Sequence, residues 1–156
     1  MIVRWKKGAI PENGFGVVSW CFDGDTVRLR GMPGAEVVRL WGMDAPERGQ
    51  RGSRLAGAAL WEMVGRRRVQ VVPVCRDRYG RLVARLVTMG GEDVGKAMVF
   101  AGWARWYKFY APAALDYARA ERAARKAGRG VWGMPGATFA PWSWRAKYSR
   151  HGAPRR

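Results

Sequence analysis

Short apolar runs alternate with polar turns through the first half of the chain, and this pattern predicts a small β structure. The expected strands cover residues 15–22, 26–30, 36–43, 69–75 and 82–88. The run at 36–43 carries apolar residues on both faces, as in a barrel strand that is covered inside and outside. Pro73 cannot donate a hydrogen bond, so we expect an edge or a bulge at that point of its strand.

Apolar residues at helical spacing mark three further segments. The expected helices cover residues 53–64, 94–101 and 112–126. Ser53 is the expected N-cap of the first helix, and Pro112 is the expected first residue of the third. The tail after Trp132 is basic and rich in tryptophan, with no clear period. The order of elements predicts an α+β, mainly β fold: a five-stranded OB-type barrel with about three α-helices.

Composition and charge add an expected partner. The chain has 156 residues, 29 Lys and Arg against 12 Asp and Glu, and a net charge of +17. Such a field attracts polyanions, which favours nucleic acid over a membrane surface. The first residues contain no apolar stretch long enough for a signal peptide, so the compartment stays open. Cys21 and Cys75 could pair only if the fold brought them together.

The residue inventory excludes several kinds of nuclease site. His151, in the tail, is the one histidine, so no site built on a pair of histidines can form. No CxxC spacing is present for zinc, and no GxxxxGK[ST] phosphate loop occurs. Any catalysis therefore has to come from carboxylates and arginines, with or without a hard metal ion.

Four carboxylates stand at predicted strand ends in one glycine-rich region: Asp23, Asp25, Asp44 and Glu47. Asp25 and Asp44 share parity with the inward residues of their strands, so both should point toward one rim of the barrel. Two acids at one rim repel each other, and a cation relieves that repulsion. Calcium or magnesium suits such oxygen ligands. The alternative for the DGD segment is a hairpin turn whose Asp side chains bond the backbone.

Arg39 lies inside the apolar run VVRLW, where a guanidinium needs a carboxylate or phosphate partner. A structural ion pair would satisfy it equally well. Arg81 begins a predicted strand and by itself reads as a solvated charge. Arg78 and Tyr79, in the preceding loop, could hold a phosphate and stack on a base, or could simply decorate a turn.

Three segments together resemble the signature of the staphylococcal nuclease (thermonuclease) family. They are DGDT at 23–26, RLWGMDAPE at 39–47 and DRYGR at 77–81. The stretches GWA at 102–104, AERAAR at 120–125 and GVW at 130–132 also resemble the C-terminal half of that family. The resemblance divides the chain into an N-terminal extension (1–14), a nuclease domain (15–132) and a C-terminal tail (133–156).

The resemblance implies a calcium ion held by Asp25, Asp44 and the backbone carbonyl of Ala45. The family archetype has Thr at the last of these positions, where only the carbonyl is needed. Glu47 would align or deprotonate the attacking water. Arg39 and Arg81 would hold the phosphate.

By the same comparison, Arg78 and Tyr79 would lie beside the nucleotide. Aromatic residues after the GWA segment line the base pocket in the family. In this chain that stretch reads WARWYKFY, so Tyr107 and Tyr110 are the candidates, with a packing role as the alternative.

The expected function is a calcium-dependent endonuclease that hydrolyses phosphodiester bonds in DNA and RNA with little sequence specificity. We expect a monomer that does not enter membranes. The alternative is a non-catalytic module of the same fold that binds nucleic acid without cutting it.

Overall fold

A computed structural model describes residues 8–137 and 140–149 of the chain. The strands are β1 (Gly14–Cys21), β2 (Thr26–Arg30), β3 (Val37–Leu40), β4 (Met43–Asp44), β5 (Arg68–Arg76), β6 (Leu82–Thr88) and β7 (Arg105–Trp106). The α-helices are α1 (Ser53–Val64), α2 (Val94–Phe100), α3 (Leu115–Ala127) and α4 (Pro141–Ser149), and a 3₁₀ helix spans Gly130–Gly133.

Five of the strands close into a barrel in the order β1-β2-β3-β6-β5. The β3–β6 pairing is parallel, and the other pairings are antiparallel. β4 and β7 form a separate two-stranded ladder beside it. The predicted OB-type barrel with appended helices is therefore confirmed. No helix in the described ranges is long and apolar enough to cross a membrane.

The alternation in the sequence accounts for the barrel. Val27 and Leu29 on β2 and Leu82, Ala84 and Leu86 on β6 point inward and are buried, while the residues between them face outward. The bulge predicted at Pro73 is present, because the β5–β6 register shifts between Pro73 and Cys75. It is a bulge and not an edge, since the barrel is closed.

Three predicted boundaries were wrong. The run 36–43 divides into β3 and β4, because Gly42 turns the chain with φ +80°, and a Cβ there would lie 3.0 Å from the Tyr117 ring. Gly52 caps α1 with φ 92°, so Ser53 is the first helical residue and not the N-cap. α3 begins at Leu115, three residues after Pro112.

The tail holds a helix that the sequence pattern did not indicate, α4. Its hydrophobic residues show no stripe, which is why periodicity missed it. Residues 1–7 of the expected N-terminal extension, residues 138–139, and residues 150–156 with His151 lie outside the described part. Cys21 and Cys75 are both free thiols, so the possible pairing does not form.

Candidate active site

The turn between β1 and β2 places two aspartates in different roles. Asp23 Oδ1 accepts hydrogen bonds from the backbone N–H of Asp25 (3.0 Å) and Thr26 (2.9 Å). Asp25 instead reaches across the barrel mouth, where its Oδ2 accepts from Ala45 N–H at 3.1 Å. A Cβ on Gly24 would lie 2.7 Å from Ala45 Cβ, so only glycine allows this close approach. Asp23 thus fits the turn interpretation, and Asp25 fits the site interpretation.

Arg39, on β3, joins the two buried aspartates. Its Nη1 lies 3.2 Å from Asp25 Oδ2, and its Nη2 lies 3.0 Å from Asp44 Oδ1. Nη1 also donates to the backbone carbonyl of Met43 at 3.0 Å. The carboxylates predicted to share one rim therefore meet at one guanidinium. This arrangement is the ion pair that Arg39 needed inside an apolar strand.

The protonation of these acids reflects burial and their neighbours. Burial and the adjacent Asp25 charge raise the pKa of Asp23 to about 7. Burial alone would raise the pKa of Asp25, but the Arg39 charge and hydrogen bonds from Ala45 and Thr26 lower it overall. Burial raises the pKa of Asp44, and its arginine partners oppose that rise. The site thus stays anionic at Asp25, the residue that faces the mouth.

A second arginine enters the site from the tail. Arg145 on α4 donates to Asp44 Oδ1 (3.0 Å), Asp44 Oδ2 (2.7 Å) and Glu47 Oε1 (2.6 Å). The Asp44 side chain is 0% exposed and the Glu47 side chain 27%. Sequence reasoning missed Arg145, because nothing in WSWRAKY distinguishes this arginine from the other basic residues of the tail.

Glu47 lies in the loop that follows β4. Its backbone N–H donates to Gln50 Oε1 at 2.9 Å, and Gln50 N–H donates to the Glu47 carbonyl at 2.8 Å. This reciprocal pair fixes the loop while leaving the carboxylate partly open to solvent. Glu47 is therefore held next to Asp44 in a position that water can reach.

Arg81 reaches the same mouth through Thr26. Its Nη1 lies 3.5 Å from Thr26 Oγ1, and that hydroxyl donates to Asp25 Oδ1 at 2.9 Å. Asp77 orients the guanidinium, since Arg81 Nε donates to Asp77 Oδ2 at 2.6 Å. Its position in the sequence suggested a solvated charge at the start of a strand, but in the structure Arg81 contacts Asp77 and Thr26.

The two nucleotide-contact candidates of the β5–β6 loop lie beside Arg81. Tyr79 is 68% exposed, and the guanidiniums of Arg78 and Arg81 lie 4.8 Å and 5.5 Å from its ring centroid. Asp77 Oδ1 accepts from the Tyr79 N–H at 2.9 Å and shapes the turn. The Tyr79 ring is therefore largely open to solvent and lies next to the Arg81 guanidinium.

Tyr107 and Tyr110 belong to an aromatic cluster next to the acids. The Tyr107 ring centroid lies 4.9 Å from that of Tyr110 and 5.5 Å from that of Phe109. Trp142 of α4 packs on the same cluster, 5.7 Å from Tyr107. Burial raises the pKa of Tyr107, and the nearby Arg145 charge opposes that rise. Tyr110 is mostly exposed, whereas Tyr107 also packs against α4.

Comparison with known proteins decides the family. The family model described as staphylococcal nuclease homologue matches residues 37–134. The chain belongs to the staphylococcal nuclease family. An "Uncharacterized endonuclease" of Escherichia coli is 34% identical over 124 residues, covering 79% of each chain. A "Micrococcal nuclease" of Shigella flexneri is 34% identical over 139 residues, covering 83% of this chain and 79% of that protein.

A third relative, "Protein ParB" of Escherichia coli, is 37% identical over 139 residues, covering 83% of this chain and 78% of its own length. The family resemblance inferred from three short motifs is confirmed, and with it the expectation of a nuclease. The matched range 37–134 contains Arg39, Asp44, Glu47 and Arg81 but begins after Asp25.

Proposed function

We propose that the chain is a calcium-dependent endonuclease that hydrolyses phosphodiester bonds in DNA and RNA with little sequence specificity. The observation that carries the proposal is the convergence of Asp25 and Asp44 on Arg39, with Arg81 reaching Asp25 through Thr26. Carboxylates and two guanidinium forks at one barrel mouth are what metal-assisted cleavage of a phosphodiester requires.

The donor chemistry fits a hard divalent cation. Asp25, Asp44 and the carbonyl of Ala45 supply oxygen ligands, which calcium prefers. Among residues 8–137 and 140–149 no group of three or more Asp, Glu, His or Cys side chains is arranged to hold a metal, so a carbonyl and waters would complete the set. When bound, calcium would neutralise charge on the phosphate and position water.

The side chains of this chain supply the remaining steps. Glu47, partly open to solvent, would align or deprotonate the water that attacks phosphorus. Arg39 and Arg81 would donate paired hydrogen bonds to the phosphate oxygens as their negative charge increases. Tyr79 and Arg78 would lie beside the nucleotide, with Tyr107 and Tyr110 as further stacking surfaces.

The charge of the chain supports a nucleic-acid substrate. The net charge of +17 would draw a polyanion toward the protein. None of the proposed contacts reads base edges, so we expect cleavage to tolerate sequence. We expect the protein to act as a monomer.

A non-catalytic binding module is the second candidate, and one contact favours it. Arg145 pairs with Asp44 and Glu47 and offsets their negative charge. A protein that only binds nucleic acid would need such pairing, because unpaired acids would repel the polyanion. The five side chains that the proposed cleavage would use are nevertheless all present in the chain: Asp25, Arg39, Asp44, Glu47 and Arg81.

Digestion assays across a calcium titration separate the two. Plasmid, single-stranded DNA and RNA are incubated with the protein in calcium, in magnesium and in excess EDTA. We expect cleavage with calcium, loss of cleavage with EDTA, and weaker support from magnesium, whose tighter octahedral geometry aligns water less well. Full cleavage in EDTA would refute the metal ligands, and binding without cleavage under every condition would establish the binding module.

A further inference from the structure

We propose that the outer face of β1 is a second nucleic-acid binding surface, specific for single strands. This surface, the β1 stripe, consists of Phe15, Trp20 and Phe22 with Arg28, Arg30 and Arg68. The inference rests on the proposed function, because it concerns the same polymer, but it uses residues that the active site does not.

The strand geometry brings the aromatic residues to one face. Phe15 is 43% exposed, Trp20 56% and Phe22 37%, while Val18 between them is fully buried. The register shift between Val18 and Trp20 adds one residue to the strand, so that Trp20 faces outward again. Single exposed apolar residues are ordinary on a protein surface, but here three aromatic residues face outward within eight positions, two on β1 and Phe22 directly after it.

Two arginines lie next to the three rings. The Arg68 guanidinium lies 4.5 Å from the Phe15 ring centroid, and that of Arg28 lies 5.0 Å from Phe22. Trp20 pairs directly with Arg28 across the β1–β2 ladder. In the same way, Val17 pairs with Arg30 on one side and with Arg68 on the other.

The charge pattern selects a polyanion. None of the residues that pair with β1 on β2 or β5 is acidic. Alternating rings and guanidiniums match a strand whose bases stack on the rings while its phosphates meet the arginines. A duplex hides its base faces, so the rings favour a single strand.

The position of the stripe connects it to the candidate site. Phe22 immediately precedes Asp23 of the DGD turn, so the stripe ends at the barrel mouth. From Phe15 to Phe22 an extended strand covers roughly 20 Å. A single strand held along this distance would enter the site from one side with several nucleotides already bound.

Fluorescence anisotropy with a labelled oligothymidylate in EDTA tests the surface, because EDTA stops the proposed cleavage. The variant carries Phe15→Ala and Trp20→Ala. Its matched control is Phe100→Ala, since Phe100, on α2, is 49% exposed and its ring centroid lies 4.1 Å from the Arg129 guanidinium. We expect the double variant to bind roughly tenfold or more weakly, and the control to bind like the wild type.

Melting temperatures confirm that each variant is folded. Unchanged oligonucleotide affinity in a folded double variant would overturn the β1 stripe. An equal loss of duplex affinity would overturn its preference for single strands, and a change in oligomeric state would show that a second copy covers the face instead. A wild type that binds the oligonucleotide but cleaves nothing with calcium would refute the proposed function and leave the stripe standing.

A different observation carries a second inference: we infer that α4 is a self-inhibitory strap over the candidate site. Trp142 and Arg145 are three residues apart and so share one face of the helix. Arg145 engages both Asp44 oxygens and Glu47 Oε1. Trp142 packs on Tyr107 and Phe109, with ring centroids 5.7 Å and 5.6 Å apart. One helix face thus occupies the acids and covers a nucleotide-contact candidate.

These contacts compete with the proposed reaction. A cation bound to Asp44, and a water handled by Glu47, need the same oxygens that Arg145 holds. The strap therefore has to leave before the site can work, and ligands that take its place shift the molecule to the open state. This inference also rests on the proposed function.

Calorimetric titration of the full chain with calcium, without nucleic acid, tests the strap. Arg145→Ala removes a competing guanidinium, so we expect calcium to bind about tenfold more tightly. Trp142→Ala changes no charge and touches none of the acids, yet loosens the same helix, so it should also tighten binding. Lys126→Ala, at the end of α3, is the control for loss of one positive charge.

The pair of variants distinguishes a strap from a charge effect. Tighter binding in Arg145→Ala but not in Trp142→Ala would overturn the strap, because a lost charge would then explain the result. Unchanged affinity in both, with an active wild type, would overturn the strap and leave the nuclease proposal standing. Absence of both calcium binding and cleavage in every protein would refute the proposed function and the strap together.

Discussion

Two buried aspartates, Asp93 and Asp44, each pair with arginine, yet their surroundings differ. Asp93 caps α2 by accepting from Lys96 N–H at 3.1 Å. It also accepts from the Tyr117 hydroxyl at 2.7 Å and from the Arg85 guanidinium at 2.6 Å. Its partners are a backbone amide, a buried phenol and the guanidinium of Arg85 on β6. All of them are parts of the folded body.

The carboxylate of Asp44, by contrast, is held by two guanidiniums. Arg39 comes from the barrel, and Arg145 comes from a helix about a hundred residues away along the chain. Side-chain cations can give way to another cation, whereas a backbone amide and a packed phenol cannot. A buried acid is therefore weak evidence of function by itself. The decisive feature is whether its partners can be exchanged for a ligand.

The largest effect is expected at Glu47. Glu47→Gln keeps the size of the side chain but removes the carboxylate that we propose aligns or deprotonates the attacking water. Turnover should fall by about two to four orders of magnitude, the usual contribution of a positioned acid or base. Nucleic-acid binding should survive, because the basic surface is unchanged. Initial rates and anisotropy on the same preparation check this, with the exposed Glu62→Gln as control. A near-wild-type rate would remove Glu47 from the mechanism.

Arg81→Lys is expected to have the next largest effect. Lysine keeps the charge but loses the planar fork, so the maximal rate should fall about a hundredfold. Arg39→Lys should do the same, with an added loss of stability because Arg39 also joins Asp25 and Asp44.

Arg85→Lys is the matched control for both substitutions, since Arg85 serves Asp93 and not the mouth. Maximal rates are measured with melting temperatures, in calcium and without it. A stable Arg81→Lys protein with undiminished turnover would return Arg81 to the role of an orienting partner of Asp77.

Asp93→Asn tests whether Asp93, unlike Asp44, serves stability alone. The amide keeps the shape but weakens the bonds to Arg85 and Tyr117, so unfolding should become easier by about 2 kcal/mol. Cleavage per folded molecule should not change. Denaturant titration and initial rates below the unfolding transition measure both quantities. A selective loss of activity in a stable protein would place Asp93 in the site.

The smallest effect is expected at Arg150, which lies outside the described residues. Arg150→Ala removes one of 29 basic residues. Affinity should weaken slightly and the rate should hardly change, because the field is a sum over many charges. Binding and cleavage at two salt concentrations test this. A large loss of rate would assign the end of the tail a specific contact.

The barrel could be predicted from the sequence because alternation is a local signal, which each strand carries in its own residues. The ends of strands and helices were harder to predict from the sequence. The break between β3 and β4 depends on Gly42 lying against Tyr117, a contact between residues far apart in the chain. The late start of α3 at Leu115 shows that proline marks where a helix can begin and not where it does.

The carboxylates and Arg39 were found because their residue types were unusual at their positions. Arg145 could not be found in this way, because an arginine is not unusual in a basic tail. Only the fold brings it to Asp44. The β1 stripe was hidden for a related reason. Its rings and arginines belong to three strands, and one residue of bulge sets which side chains face outward.

The central claim is that Asp44, unlike Asp93, is a ligand position, and calcium calorimetry on Asp44→Asn and Asp93→Asn tests it most directly. Both substitutions remove one buried negative charge and keep the side-chain shape, and melting temperatures establish which molecules are folded. We expect folded Asp44→Asn to lose measurable calcium binding and folded Asp93→Asn to bind calcium like the wild type. Equal calcium affinity in the two variants and the wild type would contradict the account.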